Sequence, residues 1–429
     1  MNPFYHGNPV SSAHFLGRKK ELRRASQRIC SSQSIAIVGE PRTGKTSVLI
    51  YLAAAENITH LYDDETGGQR FFSFLDALSF DDRINQTQFW ILAIAPIFSA
   101  VIQISPESQL AGLYSSCLDN GFNNHSLGLL LDQLAAQNYH LVLLIDEFDM
   151  LLNLPQLCRS EFLGSLRSLA SIKPTLSLVI ASRQSISTLN NRTQQLNNTG
   201  SPYFNFFEEC ALTPFSDEEV VLLLNRANGR FNQKDIDFII HAASSHPYLL
   251  QAIAAELWAI YEDGDEHNAD ARRHRAGEAL YDVAARTLGN TWAAWSPQMR
   301  MAITVVALAQ TPQLLEKRLF NNKVLLRDLR DLGPELRALE KQGYVKKYQT
   351  SQDNDNWRIL PAAFQWWLAD ELVRTVRSEK GFTQWIQAQE WGGLLTKTGE
   401  RQLIHAGKSL ADSLKGSIPD LIKFFISGS

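Results

Sequence analysis

The segment Gly39–Thr46, with the sequence GEPRTGKT, constrains the fold of this chain more than any other part of it. It follows the apolar run Ser34–Val38 and leads directly into the helix-forming segment Ser47–Ala55. A loop of the form GxxxxGK[ST] between a strand and a helix binds the phosphates of a nucleoside triphosphate with its backbone N–H groups. The sequence therefore predicts a strand–loop–helix unit that binds ATP or GTP.

The residue types in this loop each have a physical role. Gly39 and Gly44 allow the backbone to turn so that its N–H groups face phosphate oxygens. We expect Lys45 to reach the β- and γ-phosphates and the Thr46 hydroxyl to bind Mg²⁺. The predicted nucleotide-binding residues of the loop are Gly39, Glu40, Pro41, Arg42, Thr43, Gly44, Lys45, Thr46 and Ser47.

Length, composition and charge disfavour several classes of protein. The chain has 429 residues, enough for two to four domains, and its net charge of −4 gives no overall attraction to nucleic acid. Its 4 cysteines are scattered without CxxC spacing, which disfavours a disulfide framework or a metal site. The N-terminus has no secretory signal, and no apolar run approaches the roughly 18 residues of a membrane span. We therefore expect a soluble, cytoplasmic protein.

Apolar runs alternate with longer helix-forming segments up to about residue 215, which indicates a parallel sheet covered by helices. The predicted strands are Ser34–Val38, Phe71–Asp76, Leu141–Ile145, Leu176–Ala181 and Cys210–Leu212. The predicted helices are Lys19–Cys30, Thr43–Ala55, Thr87–Ala100, Ser126–Gln137 and Arg159–Ala170. We expect an α/β fold whose three-layer parallel-sheet core, of the P-loop NTPase type, spans residues 1–215.

Three further regions are expected after the core. Residues 216–285 are helix-forming and predict a helical lid. Residues 286–375 contain helices at Pro297–Ala309 and Pro334–Gln342 followed by two short strands, the pattern of a winged-helix domain. Residues 376–429 form an amphipathic helical tail, which either packs on its own domain or contacts a membrane surface or another subunit.

Charged residues follow two of the apolar strands predicted for the core. Asp146 and Glu147 come directly after Leu141–Ile145, and Arg183 comes shortly after Leu176–Ala181. Because the carboxyl ends of parallel strands meet at one edge, Asp146 is expected to hold Mg²⁺ and Glu147 to activate the attacking water. Arg183 would then contact the γ-phosphate. The alternative for Asp146 and Glu147 is an acidic turn after a core strand, and the alternative for Arg183 is a surface arginine after a strand.

The order of several motifs resembles that of STAND-class ATPases, a branch of the AAA+ lineage. The matching segments are Asn2-Pro3-Phe4, Gly7-x-Pro9-Val10, Phe15–Glu21 (FLGRKKE), Ser182-Arg183 and Ser245–Leu250, within a resemblance that covers residues 2–375. It implies nucleotide contacts at Gly17 and Arg18, a γ-phosphate sensor at Arg183 and an adenine contact at Pro247. It also implies ATP and ADP with Mg²⁺ as the cofactors, rather than GTP.

Three features depart from that pattern. Ser245 replaces the glycine of the GxP motif, which leaves the geometry of that turn open. No superhelical repeats follow the core, and no effector domain precedes residue 15. Sensing and output would then depend on the 376–429 tail or on a partner protein.

The resemblance implies a nucleotide-dependent switch that hydrolyses ATP slowly, with ATP bound between core and lid. Such a switch forms a homo-oligomer in the ATP state or recruits an effector or sensor protein. A neighbouring subunit often supplies an arginine in trans, for which Arg159 and Arg167 are the candidates.

The alternative function is that of a DNA-associated AAA+ ATPase, like origin-recognition or transposition-helper proteins, that uses its winged helix on DNA. The expected recognition helix carries Arg337 and Lys341 but also Glu335 and Glu340. Lys346 and Lys347 flank the wing. This mixed charge favours the switch over DNA binding.

Overall fold

The computed structural model describes residues 1–62, 68–197, 200–264, 268–310, 332–349 and 355–375, with short pieces at 384–385, 387–391, 398 and 401–403. The chain divides into two compact units. The sheet unit consists of Pro9–Glu40 and Gly44–Leu212. The helical unit consists of Met1–Asn8, Pro41–Thr43 and the chain from Thr213 onward.

The strands of the sheet unit are Ile35–Val38 (β1), Gln69–Asp76 (β2), Tyr139–Asp146 (β3), Leu176–Ser182 (β4) and Glu208–Ala211 (β5). They form one parallel sheet in the order β2–β3–β4–β1–β5. All five predicted strands are confirmed, although their ends differ by one or two residues. β1 and β4 are buried along their whole length, which explains their continuous apolar runs.

The helices described in the sheet unit are Lys19–Cys30 (α1), Lys45–Ala53 (α2), Ala55–Leu61 (α3), Gln86–Ile97 (α4), Gln109–Asp119 (α5), Asn124–Ala136 (α6), Phe148–Leu151 (α7), Ser160–Ile172 (α8) and Ile186–Thr193 (α9). The helix predicted as Thr43–Ala55 is corrected to Lys45–Ala53, because Ala54 is extended (φ −68°, ψ 127°). Four of these helices, α3, α5, α7 and α9, are not predicted from the sequence.

Two hydrophobic clusters cover the two faces of the sheet. One joins Leu143 and Ile180 to side chains of α4, α5, α6 and α8. The other joins Leu144 and Val179 to side chains of α1 and α2. Successive strand residues point to opposite faces, so the sheet is the middle layer of three. The predicted α/β three-layer fold is confirmed.

The helices described in the helical unit are Asp217–Leu224 (α10), Gln233–Ala243 (α11), Pro247–Asp263 (α12), Ala269–Ala294 (α13), Pro297–Gln310 (α14), Gly333–Lys341 (α15) and Ala362–Thr375 (α16). α13 runs through residue 285, where the boundary between lid and winged helix was predicted. Its buried positions Ala276, Leu280, Ala284, Leu288 and Trp292 keep helical spacing across that point, so nothing ends the helix there.

A two-stranded antiparallel wing follows α15, as predicted for a winged helix. Its strands are Val345–Gln349 (β6) and Asp355–Ile359 (β7). Gly343, in the turn before β6, has a φ of 83°, and a Cβ atom there would lie 2.2 Å from Cγ of Pro214. Most of the predicted 376–429 tail lies outside the described residues.

Aromatic side chains fill the core of the helical unit. Trp295 packs edge-on against Tyr344 and also contacts Phe364, while Trp366 is fully buried. Trp295 and Trp366 therefore serve as core residues. None of the helices described for the chain is long and apolar enough to cross a membrane.

The N-terminal residues belong to the helical unit rather than to the core in which they were predicted. Phe4 is buried and stacks on Phe231, with Trp258 at its edge. The Asn2 side chain donates to the carbonyl of Ala255 at 3.0 Å. Burial of the Phe4 ring gives the physical reason for this placement.

Candidate phosphate and metal site

The predicted phosphate-binding loop, Gly39–Thr46, connects β1 to α2 and contains two residues in left-handed conformations. Gly44 has a φ of 96° and precedes the first residue of α2, and Arg42 has a φ of 67°. Lys45 begins the helix, and its Nζ atom donates to the carbonyls of Gly39 at 2.8 Å and Glu40 at 3.0 Å. The ammonium group is therefore held inside its own loop. Burial lowers the pKa of Lys45, although the nearby Glu147 opposes this shift.

The Thr46 hydroxyl donates to Oδ2 of Asp146 at 2.7 Å, across 100 residues of sequence. Thr46 lies in the first turn of α2, and Asp146 is the last residue of β3. Asp146 is only 5% exposed, and this burial raises the pKa of its carboxyl. A hydroxyl and a carboxylate at this separation are the hard oxygen ligands that Mg²⁺ takes beside phosphates and water. The residues present therefore fit a Mg²⁺ ion.

Glu147 and Arg183 form an ion pair beside this oxygen pair. Nε of Arg183 donates to Oε2 of Glu147 at 2.9 Å. Glu147 has a φ of 50° and caps the short helix α7, while Arg183 follows the end of β4. The hydrogen bond to Glu147 is the main cause that raises the pKa of Arg183. The structure thus brings together the two residues predicted as base and sensor.

Glu40 adds a third carboxylate to this charge cluster. Burial raises its pKa, although Lys45 and Arg183 lie close enough to oppose that shift. The sequence predicts no role for Glu40 beyond its place in the loop.

Asp149 is a residue of this region that sequence analysis missed. It is 5% exposed, and its Oδ1 accepts from the backbone N–H of Arg183 at 3.1 Å and from the Ser182 hydroxyl at 3.3 Å. The sequence signal was a third acidic residue three positions after Asp146. That spacing alone does not reveal a partner on another strand.

The remaining predicted residues of the sheet unit have other described contacts. Arg18 is 3% exposed with a φ of 61°, and its Nη1 lies 3.7 Å from Oε1 of Glu21. Gly17 also has a positive φ, of 75°. The Ser47 hydroxyl accepts from the backbone N–H of Val10 at 3.1 Å. These contacts explain local structure, and a role in nucleotide binding stays a prediction.

Three loop residues, Pro41, Arg42 and Thr43, belong to the helical unit. Arg42 is exposed; it donates to the carbonyl of Gly7 and lies 5.3 Å above the ring of Tyr248. Thr43 is buried, with 7% of its surface exposed.

Pro247, the predicted adenine contact, is the first residue of α12. The positive-φ residue of the preceding turn is Ser244, with a φ of 50° and a ψ of −133°. Ser245 is not among the positive-φ residues described, so this turn does not need a glycine at 245.

Both candidate trans arginines bind carbonyl groups of their own unit. Nε of Arg159 donates to the carbonyl of Pro155 at 3.1 Å, and Nη1 of Arg167 donates to that of Ser201 at 2.8 Å. Their described contacts do not favour either one as a trans residue.

No protein-family model matches this sequence, and no curated protein sequence matches it. Solved structures do match. The Walker-type ATPase PABY2304 of Pyrococcus abyssi has a TM-score of 0.51 and 15% identity, over 85% of this chain and 99% of that chain. The Aeropyrum pernix ORC2 protein, solved as ADPNP–ADP complexes, has a TM-score of 0.50 and 13% identity, over 96% of this chain and 97% of that chain. At these identities the similarity establishes the fold alone, which this chain shares with those two proteins.

Proposed function

We propose that this chain binds ATP with Mg²⁺ at the loop Gly39–Thr46 and hydrolyses it. The observation that supports the proposal is the 2.7 Å hydrogen bond between Thr46 and Asp146, because a hydroxyl and a carboxylate are ligands that Mg²⁺ takes beside nucleotide phosphates. The fold shared with PABY2304, a Walker-type ATPase, supports the reaction. The ADPNP–ADP complexes of the ORC2 protein support adenine as the base.

The side chains have separate roles in this reaction. Lys45 would exchange its bonds to the Gly39 and Glu40 carbonyls for bonds to the β- and γ-phosphates. Thr46 and Asp146 would hold Mg²⁺, which neutralises charge on the phosphates. Glu147 would accept the proton of the attacking water.

Arg183 would make the site sensitive to the γ-phosphate. Its guanidinium binds Glu147 at 2.9 Å, and a γ-phosphate offers it a second, more strongly charged partner. ADP lacks this group, so Arg183 gives ATP and ADP different affinities. A difference of this kind is what a nucleotide-dependent switch requires. We propose such a switch, of the STAND type, with slow turnover and an assembly state that depends on the nucleotide.

The test is light scattering coupled to size exclusion for the full chain with ADP, with ATP and as Glu147→Gln with ATP. We expect nucleotide binding in all three samples and a change of assembly with ATP that Glu147→Gln prolongs. Absence of ATP binding would refute the whole proposal. Fast turnover by a constant monomer would leave an ATPase and refute the switch.

A second candidate function, binding to duplex DNA, is favoured by one face of the wing. Lys346 and Arg358 are exposed and directly opposite each other on β6 and β7, and Arg358 lies 5.1 Å above the ring of Tyr348. Two like charges facing each other lose stability unless an anion lies between them. This cationic face matches a phosphate backbone.

The DNA proposal is tested by measuring duplex affinity against salt concentration. Replacing both Lys346 and Arg358 with Glu should flatten the salt dependence by a slope of about 2. The matched control replaces the exposed Lys19 and Lys20 of α1 with Glu, which changes the net charge equally. Equal losses in both variants, or no binding by the native chain, would exclude the wing as a DNA contact.

A further inference from the structure

Asp149 is a buried carboxylate that the proposed chemistry does not use. It is the second residue of α7 and is 5% exposed. A buried charge is costly unless hydrogen bonds compensate it, so its partners indicate what it does. Those partners lie on the segment that carries Arg183.

The Oδ1 atom of Asp149 fixes the backbone at the end of β4. It accepts from the N–H of Arg183 at 3.1 Å and from the hydroxyl of Ser182 at 3.3 Å. The same hydroxyl lies 2.9 Å from the carbonyl of Gln184 and accepts from the N–H of Gln184 at 3.0 Å. Ser182 and Arg183 are thereby bonded to one carboxylate, and Gln184 is bonded to it indirectly through the Ser182 hydroxyl.

A second connection reinforces the first. Nη1 of Arg192, on α9, donates to the Gln184 side chain at 3.0 Å, and Nη2 donates to the Asn153 side chain at 2.8 Å. Asn153 follows α7 closely, so Arg192 joins the turn after β4 to the same short helix. Glu147 caps that helix at its N-terminus.

We propose that Asp149 is a positioning residue that holds Arg183 and Glu147 in register, so that γ-phosphate recognition and water activation occur in one fixed geometry. This inference rests on the proposed ATPase function. The side chain of Arg183 is 46% exposed, and an ion pair of that exposure contributes little order by itself. The hydrogen bonds from the Arg183 N–H and the Ser182 hydroxyl end instead on a carboxylate that is 5% exposed, and hydrogen bonds to a carboxylate are the stronger ones.

The test compares Asp149→Ala with Asp149→Asn in the full chain. The asparagine oxygen still accepts both hydrogen bonds, whereas alanine accepts none. For Asp149→Ala we expect the ratio of ADP to ATP dissociation constants and kcat each to fall by about 10- to 100-fold. The ADP affinity should stay within about twofold, and Asp149→Asn should stay within about threefold of the native chain on every measure.

A purely structural role would lower the melting temperature of Asp149→Ala but leave the ADP/ATP ratio of the folded protein unchanged, and that result would overturn the proposal. Equal losses in Asp149→Asn and Asp149→Ala would also overturn it. If Asp149→Ala does not fold, Ser182→Ala removes one bond to the same carboxylate and should lower the ratio. An unchanged ratio in Ser182→Ala would then count against the proposal.

ATP binding and hydrolysis by the native chain show whether the role of Asp149 or the proposed ATPase function has failed. A native chain that neither binds nor hydrolyses ATP refutes the ATPase proposal. A native chain that does both, beside an Asp149→Ala variant with native kinetics, refutes the role of Asp149 alone.

Discussion

The Nε atom of Arg183 lies 2.9 Å from Oε2 of Glu147, so the residue expected to read the γ-phosphate is bonded to the residue expected to activate water. One of the two carboxylate oxygens of Glu147 is therefore engaged by a guanidinium rather than by a water molecule. Arrival of a γ-phosphate would give Arg183 a competing partner and free that oxygen. The same contact would then make hydrolysis dependent on the nucleotide that is bound.

Replacing Arg183 with alanine should remove the preference for ATP over ADP and lower turnover by about a hundredfold, because transition-state charge loses a fixed cation. Binding of both nucleotides by calorimetry, with single-turnover hydrolysis, measures these effects. Arg83→Ala is the control, since Arg83 is 90% exposed and bonded to Asp81 in the sheet unit. Retention of the ATP preference in Arg183→Ala would exclude the sensor role.

Glu147→Gln should keep nucleotide affinity and lower turnover by about 10²- to 10⁴-fold, because an amide cannot accept the proton of water. Phosphate release under saturating ATP measures the loss. The exposed Glu161→Gln on α8 serves as the matched control. Native turnover in Glu147→Gln would assign the base to another group.

Lys45→Ala should weaken binding of both ATP and ADP by about a hundredfold or more, since the loop loses its buried cation. Fluorescent-nucleotide titration gives both dissociation constants. Lys173→Ala is the comparison, because Lys173 pairs with Asp132 at 2.6 Å in the same unit. Similar, small losses in both lysine variants would contradict nucleotide binding at this loop.

The affinity for Mg²⁺–ATP should fall on acidification, and Asp146 should set the pH of that fall. Burial raises the pKa of this carboxyl, so protons compete with Mg²⁺ at a higher pH than at an ordinary aspartate. Affinity is therefore full above the raised pKa and is lost as the pH falls through it. Mg²⁺ titrations at stepwise pH measure this dependence.

Asp146→Asn provides the control, because its side chain cannot ionise. It should bind Mg²⁺–ATP about tenfold or more weakly at neutral pH. Its affinity for Mg²⁺–ATP should also lack the part of the decrease at low pH that is caused by protonation of Asp146. An identical pH profile in the variant would assign the titration to ATP or to another group.

Gly343→Ala should lower the free energy of unfolding by about 1–3 kcal/mol, because its φ of 83° disfavours a side chain and Pro214 occupies the Cβ position. Chemical denaturation measures the change. Gly112→Ala is the matched control: Gly112 lies within α5, and a Cβ there meets nothing within 4 Å. That variant should gain about 0.5–1 kcal/mol, and equal effects in both variants would contradict the steric argument.

The sheet and much of its edge were predictable from local pattern. Continuous apolar runs in the sequence predict β3 and β4. Because parallel strands end at one edge of a sheet, the sequence also predicts that Asp146 lies near Arg183. The loop sequence placed Thr46 at the start of a helix, and the structure brings its hydroxyl to Asp146.

What sequence pattern missed depends on contacts between distant segments. Asp149 is an ordinary acidic residue until β4 lies beside α7. The N-terminal residues precede the core in sequence, and only the Phe231 and Trp258 rings reveal that Phe4 packs elsewhere. α13 crosses a predicted boundary because its buried face continues without interruption.

The position of Phe4 also limits where this chain can be cut to make stable recombinant fragments. A recombinant fragment that starts at Thr213 would contain every helix described for the helical unit but would lack the ring that covers Phe231 and Trp258. Such a fragment would expose apolar surface that the intact chain buries, which favours aggregation. Supplying residues 1–8 through a linker, as a circular permutation does, would restore that part of the core.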